Sequence, residues 1–348
     1  MDRCLVSILM PIFKPNLEWL KIAINSILKQ TYDNFELLLL YEPCSDDGVR
    51  QLVSEIKDKR IAIIETPPKS GLPKSLNIGL AMANGKYIAR MDADDYSLPE
   101  RLKKQVEYME AHSNVAVLGS SIKLMGRNEY WFNERLKNMD ERTIRMIFSS
   151  SGGVAHPTAM FRKSFFDENN IRYNENLRGS EDYYLWVDVI CNGGIIDSLL
   201  IPLLEYRISD NQASQLLAEK MMEWDCLAKN KIYKYVYGDD KDLDFNLWSK
   251  IGCANKSVND DLPKLFDTFK NMIEYNKQFS ADIRDCYNKE IEYWWAFKAL
   301  TQLKNGFGIK MLYPTFFFGV VELKNLIYII KRIINTKVIN RYTRNYKS

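Results

Sequence analysis

The sequence predicts an α/β protein: a doubly wound, mostly parallel sheet flanked by helices, followed by a C-terminal helical region. Two observations carry this. Up to residue 119, short continuous apolar runs alternate with segments whose apolar residues recur at helical spacing. From about residue 212 to 303 the pattern becomes mostly helical. A chain of 348 residues, 46% hydrophobic, suffices for about two domains at ~150 residues each.

The elements follow in order. LVSILMPIF (5–13) is a continuous apolar run ended by a proline-rich turn, as a strand buried on both faces requires. Leu17, Leu20, Ile24, Ile27 and Leu28 then fall at helical spacing. ELLLLY (36–41) predicts the second strand, with a polar helix near 46–57; IAII (61–64) predicts the third, with a helix near 72–83. KYIARM (86–91) is the next strand. LPERLKKQVEYMEAH (98–112) reads as a helix with Pro99 near its start, and VAVLG (115–119) closes the series. From about 120 to 210 the pattern loosens into longer loops and mixed elements. Beyond it, Trp224, Tyr233, Trp248, Tyr287, Tyr293, Trp294 and Trp295 read as the core of the helical region, and YGDDKDLDF (237–245) as a loop between helices.

The formal net charge of +3 is unevenly placed. Residues 304–348 carry nine Lys or Arg and one acid, Glu322, so the body is mildly acidic and the tail strongly basic. Nothing in the pattern predicts a nucleic-acid partner. The six cysteines (Cys4, Cys44, Cys191, Cys226, Cys253, Cys286) show no CxxC pair and no dense framework, so they are expected to be ordinary buried thiols of a reducing compartment. The N-terminal apolar run is broken by Pro11 and Lys14, too early for a signal peptide, and no 18-residue apolar stretch predicts a spanning helix.

KYIARMDADD ends a predicted strand in Asp92, Asp94 and Asp95, three carboxylates in four positions. In open α/β sheets ligands bind beyond the carboxyl ends of strands, and carboxylates suit Mn²⁺ or Mg²⁺, which complete their shells with water and phosphate oxygens. The spacing alone is unspecific: Asp240/Asp242 and Asp242/Asp244 repeat it in a polar stretch with no strand before it, where a solvated loop is the reading. No Walker A and no G-x-G-x-x-G follows the first strand, which argues against a P-loop NTPase and a dinucleotide dehydrogenase.

VSILMPIF, SILKQTYDNFELLLL, GLPKSLNIGLAMANGKYIARMDADD, LPERLKKQVEYMEAH, SEDYYLW (180–186) and LLEYRISDNQAS (203–214) together resemble the inverting glycosyltransferases of family 2, with the GT-A fold, in the family's own order. The resemblance covers about residues 5–214 and implies a glycosyltransferase domain at 1–214, a helical region at 215–310 and a basic amphipathic tail at 311–348. It implies that Pro11 and Phe13 flank the base and ribose of a nucleotide-sugar donor, with Phe13 standing where the family often has tyrosine. Glu42 matches the carboxylate on the uracil edge, where aspartate is usual. Asn77 matches a family asparagine, with helix packing and ligand contact both open.

The resemblance also assigns Asp92 to the ribose or a metal-bound water, Asp94 to the metal (Mn²⁺ or Mg²⁺), and Asp95 to support. Asp182 matches the catalytic base, with Glu181 before it open to assist or to substitute; taken alone, SED before an apolar-periodic helix is equally a helix N-terminus. His156 matches a segment near acceptor and phosphates. Arg207 lies in a loop that can fold over the diphosphate, Ser209 standing where relatives carry histidine.

The expected activity is metal-dependent, inverting transfer of a sugar, from a UDP-sugar by preference, to a glycan or lipid-linked acceptor in surface polysaccharide or glycolipid synthesis. The rivals are an inactive scaffold of the same fold and a sugar nucleotidyltransferase. In the tail, Val320, Leu323, Leu326, Ile327, Ile330, Ile333 and Ile334 fall on one helical side. With the basic excess, this predicts peripheral binding to an anionic membrane at its cytoplasmic face.

Overall fold

The computed structural model describes residues 4–43, 48–126, 130–131, 139–148, 153–177, 179–208, 218–238 and 262–301. The chain divides into two compact units, one of residues 1–136 and 153–228, the other of residues 137–152 and 229–348.

The first unit begins with β1 (Val6–Ile12), α1 (Leu17–Leu28), β2 (Phe35–Tyr41), α2 (Val49–Ile56), β3 (Ile61–Glu65), α3 (Gly71–Met82) and β4 (Tyr87–Arg90). The acidic turn leads into β5 (Tyr96–Ser97), α4 (Arg101–Ala111), β6 (Val115–Leu124) and β7 (Tyr130–Trp131). After α5 (Met139–Phe148), which belongs to the second unit, the first unit resumes with a 3₁₀ turn at His156–Thr158, β8 (Met160–Arg162), α6 (Lys163–Glu168), α7 (Glu181–Cys191) and β9 (Ile195–Tyr206).

Among the described residues these strands form one sheet in the order β3-β2-β1-β4-β8-β6-β9-β5, with β7 on β6. β1 lies parallel to both β2 and β4, and β6 is parallel to β9. β8, inserted between β4 and β6, is antiparallel to both, so the sheet is mixed and mostly parallel. The stretch expected to be loose, 120–210, supplies β8, β9 and α7. β8 is only three residues long, and β9 slips register against β6 at two places between Ser120 and Ile122, so neither shows a clean period.

Elementary demands fix these elements. Every residue of β4 is buried and β1 is buried except at Pro11, as expected of inner strands covered on both faces. Asn16 caps α1, its side chain accepting from the N–H groups of Glu18 and Trp19 at 3.0 and 3.1 Å. The buried Gln30 ties the end of α1 to the chain beyond the acidic turn: its Nε2 donates to the Leu98 carbonyl at 2.8 Å and its Oε1 accepts from Leu102 N–H at 3.0 Å. Gly85 approaches β1 so closely that a Cβ there would lie 2.5 Å from the Ser7 nitrogen.

In the second unit, α5 packs against α10 (Ala281–Thr301); α9 (Leu262–Tyr275) precedes α10, and α8 (Ala218–Tyr237) crosses between the units' sequence ranges. Tyr233, Tyr287, Tyr293 and Trp295 are buried, as expected of core aromatics, and Trp294 is half-buried; Trp224, within the first unit's range, is half-buried as well. Trp248, the 239–245 part of the predicted loop and the basic tail lie outside the described residues. Cys4, Cys191, Cys226 and Cys286 are half-buried rather than buried; Cys4, for one, reaches out to the Glu110 carboxylate at 3.2 Å. No helix among the described residues is long and apolar enough to cross a membrane.

Candidate active site

Strand order reverses beside β1: β2 and β4 flank it, all three parallel. A crevice at the carboxyl ends of such strands is the usual ligand position in an open α/β sheet. A cavity of about 560 Å³ opens there, with Pro11 and Phe13 from the end of β1, Trp19 from α1, Glu42 after β2, Lys69 and Gly71 at the start of α3, and Asp92 and Asp94 after β4 among its lining. Phe13 is 58% exposed, a large apolar ring that a stacking ligand would cover.

The acidic turn forms one wall. Asp92, Asp94 and Asp95 each present a carboxylate oxygen within 4.8 Å of the others. Asp92 pairs with Arg90, whose guanidinium is buried beneath it. Burial, then the Asp92 charge, push Asp94 up to about 6, although Arg90 and Arg207 pull the other way. Asp95 is fully buried; one oxygen accepts from Arg207 N–H at 2.9 Å and the other has no hydrogen-bond partner, and burial, then Asp92, raise its proton affinity strongly. Three hard oxygen donors, one of them orphaned, held where their own charge is poorly compensated, fit a divalent cation.

The second acidic group stands at the N-terminus of α7. Glu181 is buried and accepts from Gly179 N–H at 2.5 Å. Asp182 is partly accessible, accepts from Tyr183 N–H at 2.7 Å, and is pushed up to about 7 by burial and then by Glu181. Arg90 joins the two groups electrostatically: it favours the ionised forms of Asp94, Asp95, Glu181 and Asp182 together. His156 is buried, with Nε2 2.7 Å from the Tyr173 hydroxyl and its ring edge-on to Trp186; burial, then Arg90, hold it neutral.

The remaining predicted residues divide. Glu42 is buried: it lines the cavity while its oxygens accept from Lys69 N–H at 2.8 Å and Gly71 N–H at 3.1 Å, fixing the entry to α3. Asn77 is not among the cavity-lining residues. Its amide clasps the Tyr173 backbone, accepting from N–H and donating to C=O at 2.9 Å each, and donates to Glu175 as well. Arg207 lies against the acidic turn, its Nε donating to the Asp94 carbonyl at 2.9 Å. Ser209 lies outside the described residues.

Sequence reasoning passed over Arg90, Lys14, Lys69 and Trp19. Arg90 carried a signal, a charged residue in a buried strand immediately before three acids. Lys14 and Lys69 line the cavity in the left-handed backbone region, φ 44° and 63°, where non-glycine residues are strained and often functional; no sequence pattern announces that.

The family model described as Glycosyl transferase family 2 matches residues 7–169. Glycosyltransferase MJ1057 of Methanocaldococcus jannaschii is 31% identical over 229 residues, 64% of this chain and 78% of the relative. The O-antigen biosynthesis glycosyltransferase WbnJ of Escherichia coli is 32% identical over 220 residues, 61% and 82% of the two chains. Among solved structures, S. aureus TarS 1–349 in complex with UDP-GlcNAc superposes with a TM-score of 0.53 at 16% identity, covering 88% of each chain. That likeness shows the GT-A fold.

Proposed function

The chain belongs to glycosyl transferase family 2, and from that premise we propose that it moves a sugar, with inversion, from a UDP-sugar held in the β1–β4 cavity to an acceptor hydroxyl. The observation that carries this reading is the arrangement around Arg90: Asp92 and Asp94 at the cavity wall with Asp95 buried beside them, and Asp182, with a pKa of about 7, within the same buried guanidinium's field. UDP is taken as the nucleotide because TarS, of the same fold, is known in complexes with UDP-GlcNAc and with UDP. A surface-polysaccharide or glycolipid acceptor follows the O-antigen role in the name of WbnJ; such an acceptor suits peripheral attachment to the cytoplasmic face of the membrane.

Pro11 and Phe13 cover the base and ribose. Glu42 holds the loop before α3 at the cavity, its remaining lone pairs facing the base edge. Asp94, with Asp92, would hold Mn²⁺ or Mg²⁺, which supplies positive charge to the diphosphate leaving group. Arg207 adds charge on the same side. Asp182 takes the proton from the acceptor hydroxyl as the oxygen attacks the anomeric carbon from the face opposite the nucleotide, and Glu181 keeps Asp182's proton affinity high. A base with a pKa near 7 is ionised in half or more of the molecules at neutral pH and still accepts a proton readily.

A panel of UDP-sugars with Mn²⁺, followed by release of UDP, tests this. Turnover is expected with at least one donor and is expected to fall ~10²-fold or more in Asp182→Asn, with UDP affinity little changed. Collapse of UDP affinity with the chemical rate kept would make Asp182 a binding or capping residue.

A further inference from the structure

We propose that Trp19 is a positioning residue for Arg207: its indole is the shelf on which the guanidinium rests, and it thereby sets the cation beside the acidic turn where the diphosphate binds. The guanidinium carbon of Arg207 lies 4.6 Å from the Trp19 ring centroid, within cation–π range, for which tryptophan is the best partner. Two further contacts fix the same residue: its backbone N–H donates to Asp95 Oδ1 and its Nε to the Asp94 carbonyl, both at 2.9 Å. Arg207 is therefore gripped from the acidic turn on one side and from α1 on another. Its charge acts on Asp94 from that position.

Trp19 is well built for the task. Asn16 accepts from its N–H at 3.1 Å, and the next residues of α1 facing the core, Leu20, Ala23 and Ile24, are fully buried, so the indole projects from a rigid helix. It lines the same cavity as Asp94. A long arginine side chain otherwise spreads over many rotamers, and each one excluded in advance strengthens its contact with a bound anion. The diphosphate role rests on the donor site proposed above; the hold of Trp19 on Arg207 does not.

The experiment has two arms, with Trp19→Phe, Trp19→Leu, Arg207→Ala and the double variant Trp19→Leu/Arg207→Ala. In the protein alone, NMR exchange of the Arg207 Nε–H is expected to speed about tenfold in Trp19→Leu and threefold or less in Trp19→Phe, which keeps a π face. With Mn²⁺ present, Trp19→Leu is expected to weaken UDP about tenfold and leave uridine unchanged. The double variant is expected to bind UDP as Arg207→Ala does, because coupled residues are not additive. Unchanged Nε–H exchange in Trp19→Leu overturns the proposal, as do equal losses for UDP and uridine or additive losses in the double variant. If the unsubstituted protein binds neither UDP nor uridine, the donor site is wrong, and the exchange arm still decides whether Trp19 holds Arg207.

Discussion

Asp182 joins two features that a sequence presents as alternatives. At the first turn of α7 an acid meets favourable helix-end amides, and the same residue carries a proton affinity raised to about 7. Two pH effects follow. Turnover is expected to rise through an acid limb with a midpoint near 7, since only the ionised base accepts a proton; a limb centred near pH 4 would contradict the assignment. Stability runs the other way. The folded pKa lies above the ordinary aspartate value of 3.8, so between about pH 4 and 7 the native state binds more protons than the unfolded chain, and stability falls as pH rises. Asp182→Asn removes that dependence: its advantage over the unsubstituted protein is expected to grow by up to about 1.4 kcal/mol per pH unit in that window and to flatten above it. Denaturant midpoints of both proteins at pH 5, 6, 7 and 8 check this. At this scale Asp92 and Asp94 stand out in the sequence because acids directly after an apolar run are legible, whereas Asp182 and Arg207 draw their roles only from the family resemblance. Asn77 did not reveal its work, because pairing with the Tyr173 backbone requires contact across 96 residues.

Between β1 and β4 the strands are held at a fixed spacing by Gly85. Its N–H donates to Ser7 Oγ at 2.7 Å, and a Cβ would meet the Ser7 nitrogen at 2.5 Å and the Tyr87 carbonyl at 2.7 Å, both backbone atoms unable to step aside. Gly85→Ala is expected to cost about 1–3 kcal/mol, the usual range for overpacking, and to weaken UDP binding as well, because β4 carries Arg90 and the acidic turn. Equal midpoints and equal UDP affinity for the two proteins would show that β4 tolerates the shift. β1 to β4 and α1 to α4 were readable because each is a compact apolar run or a clean helical period. β8 and β9 were not: Met160–Arg162 is too short for alternation, and β9 contains Pro202 and slips against β6. Their places in the sheet follow from neighbours far along the chain.

The whole chain divides in a way that local patterns do not announce. Residues 137–152 belong with the second unit, where the buried Arg145 of α5 bridges Glu141 at 2.6 Å and Glu290 of α10 at 3.3 Å; no periodicity in α5 reports a partner 145 residues away. The basic tail remains a charge argument: nine Lys or Arg against one acid from 304 onward, each worth ~1 kcal/mol near an anionic lipid surface. The full chain is expected to pellet with anionic vesicles at low salt and less at high salt, and a chain lacking 311–348 to stay in solution; equal pelleting of both would place the anchor elsewhere. A nucleotide-sugar site completed by a cation on Asp94 should show itself in calorimetric titration of UDP into the unsubstituted protein and Asp94→Ala, with Mn²⁺ and with EDTA. Tight binding is expected only for the unsubstituted protein with Mn²⁺, weakened at least tenfold by EDTA or by the substitution. The same affinity in all four titrations would contradict it.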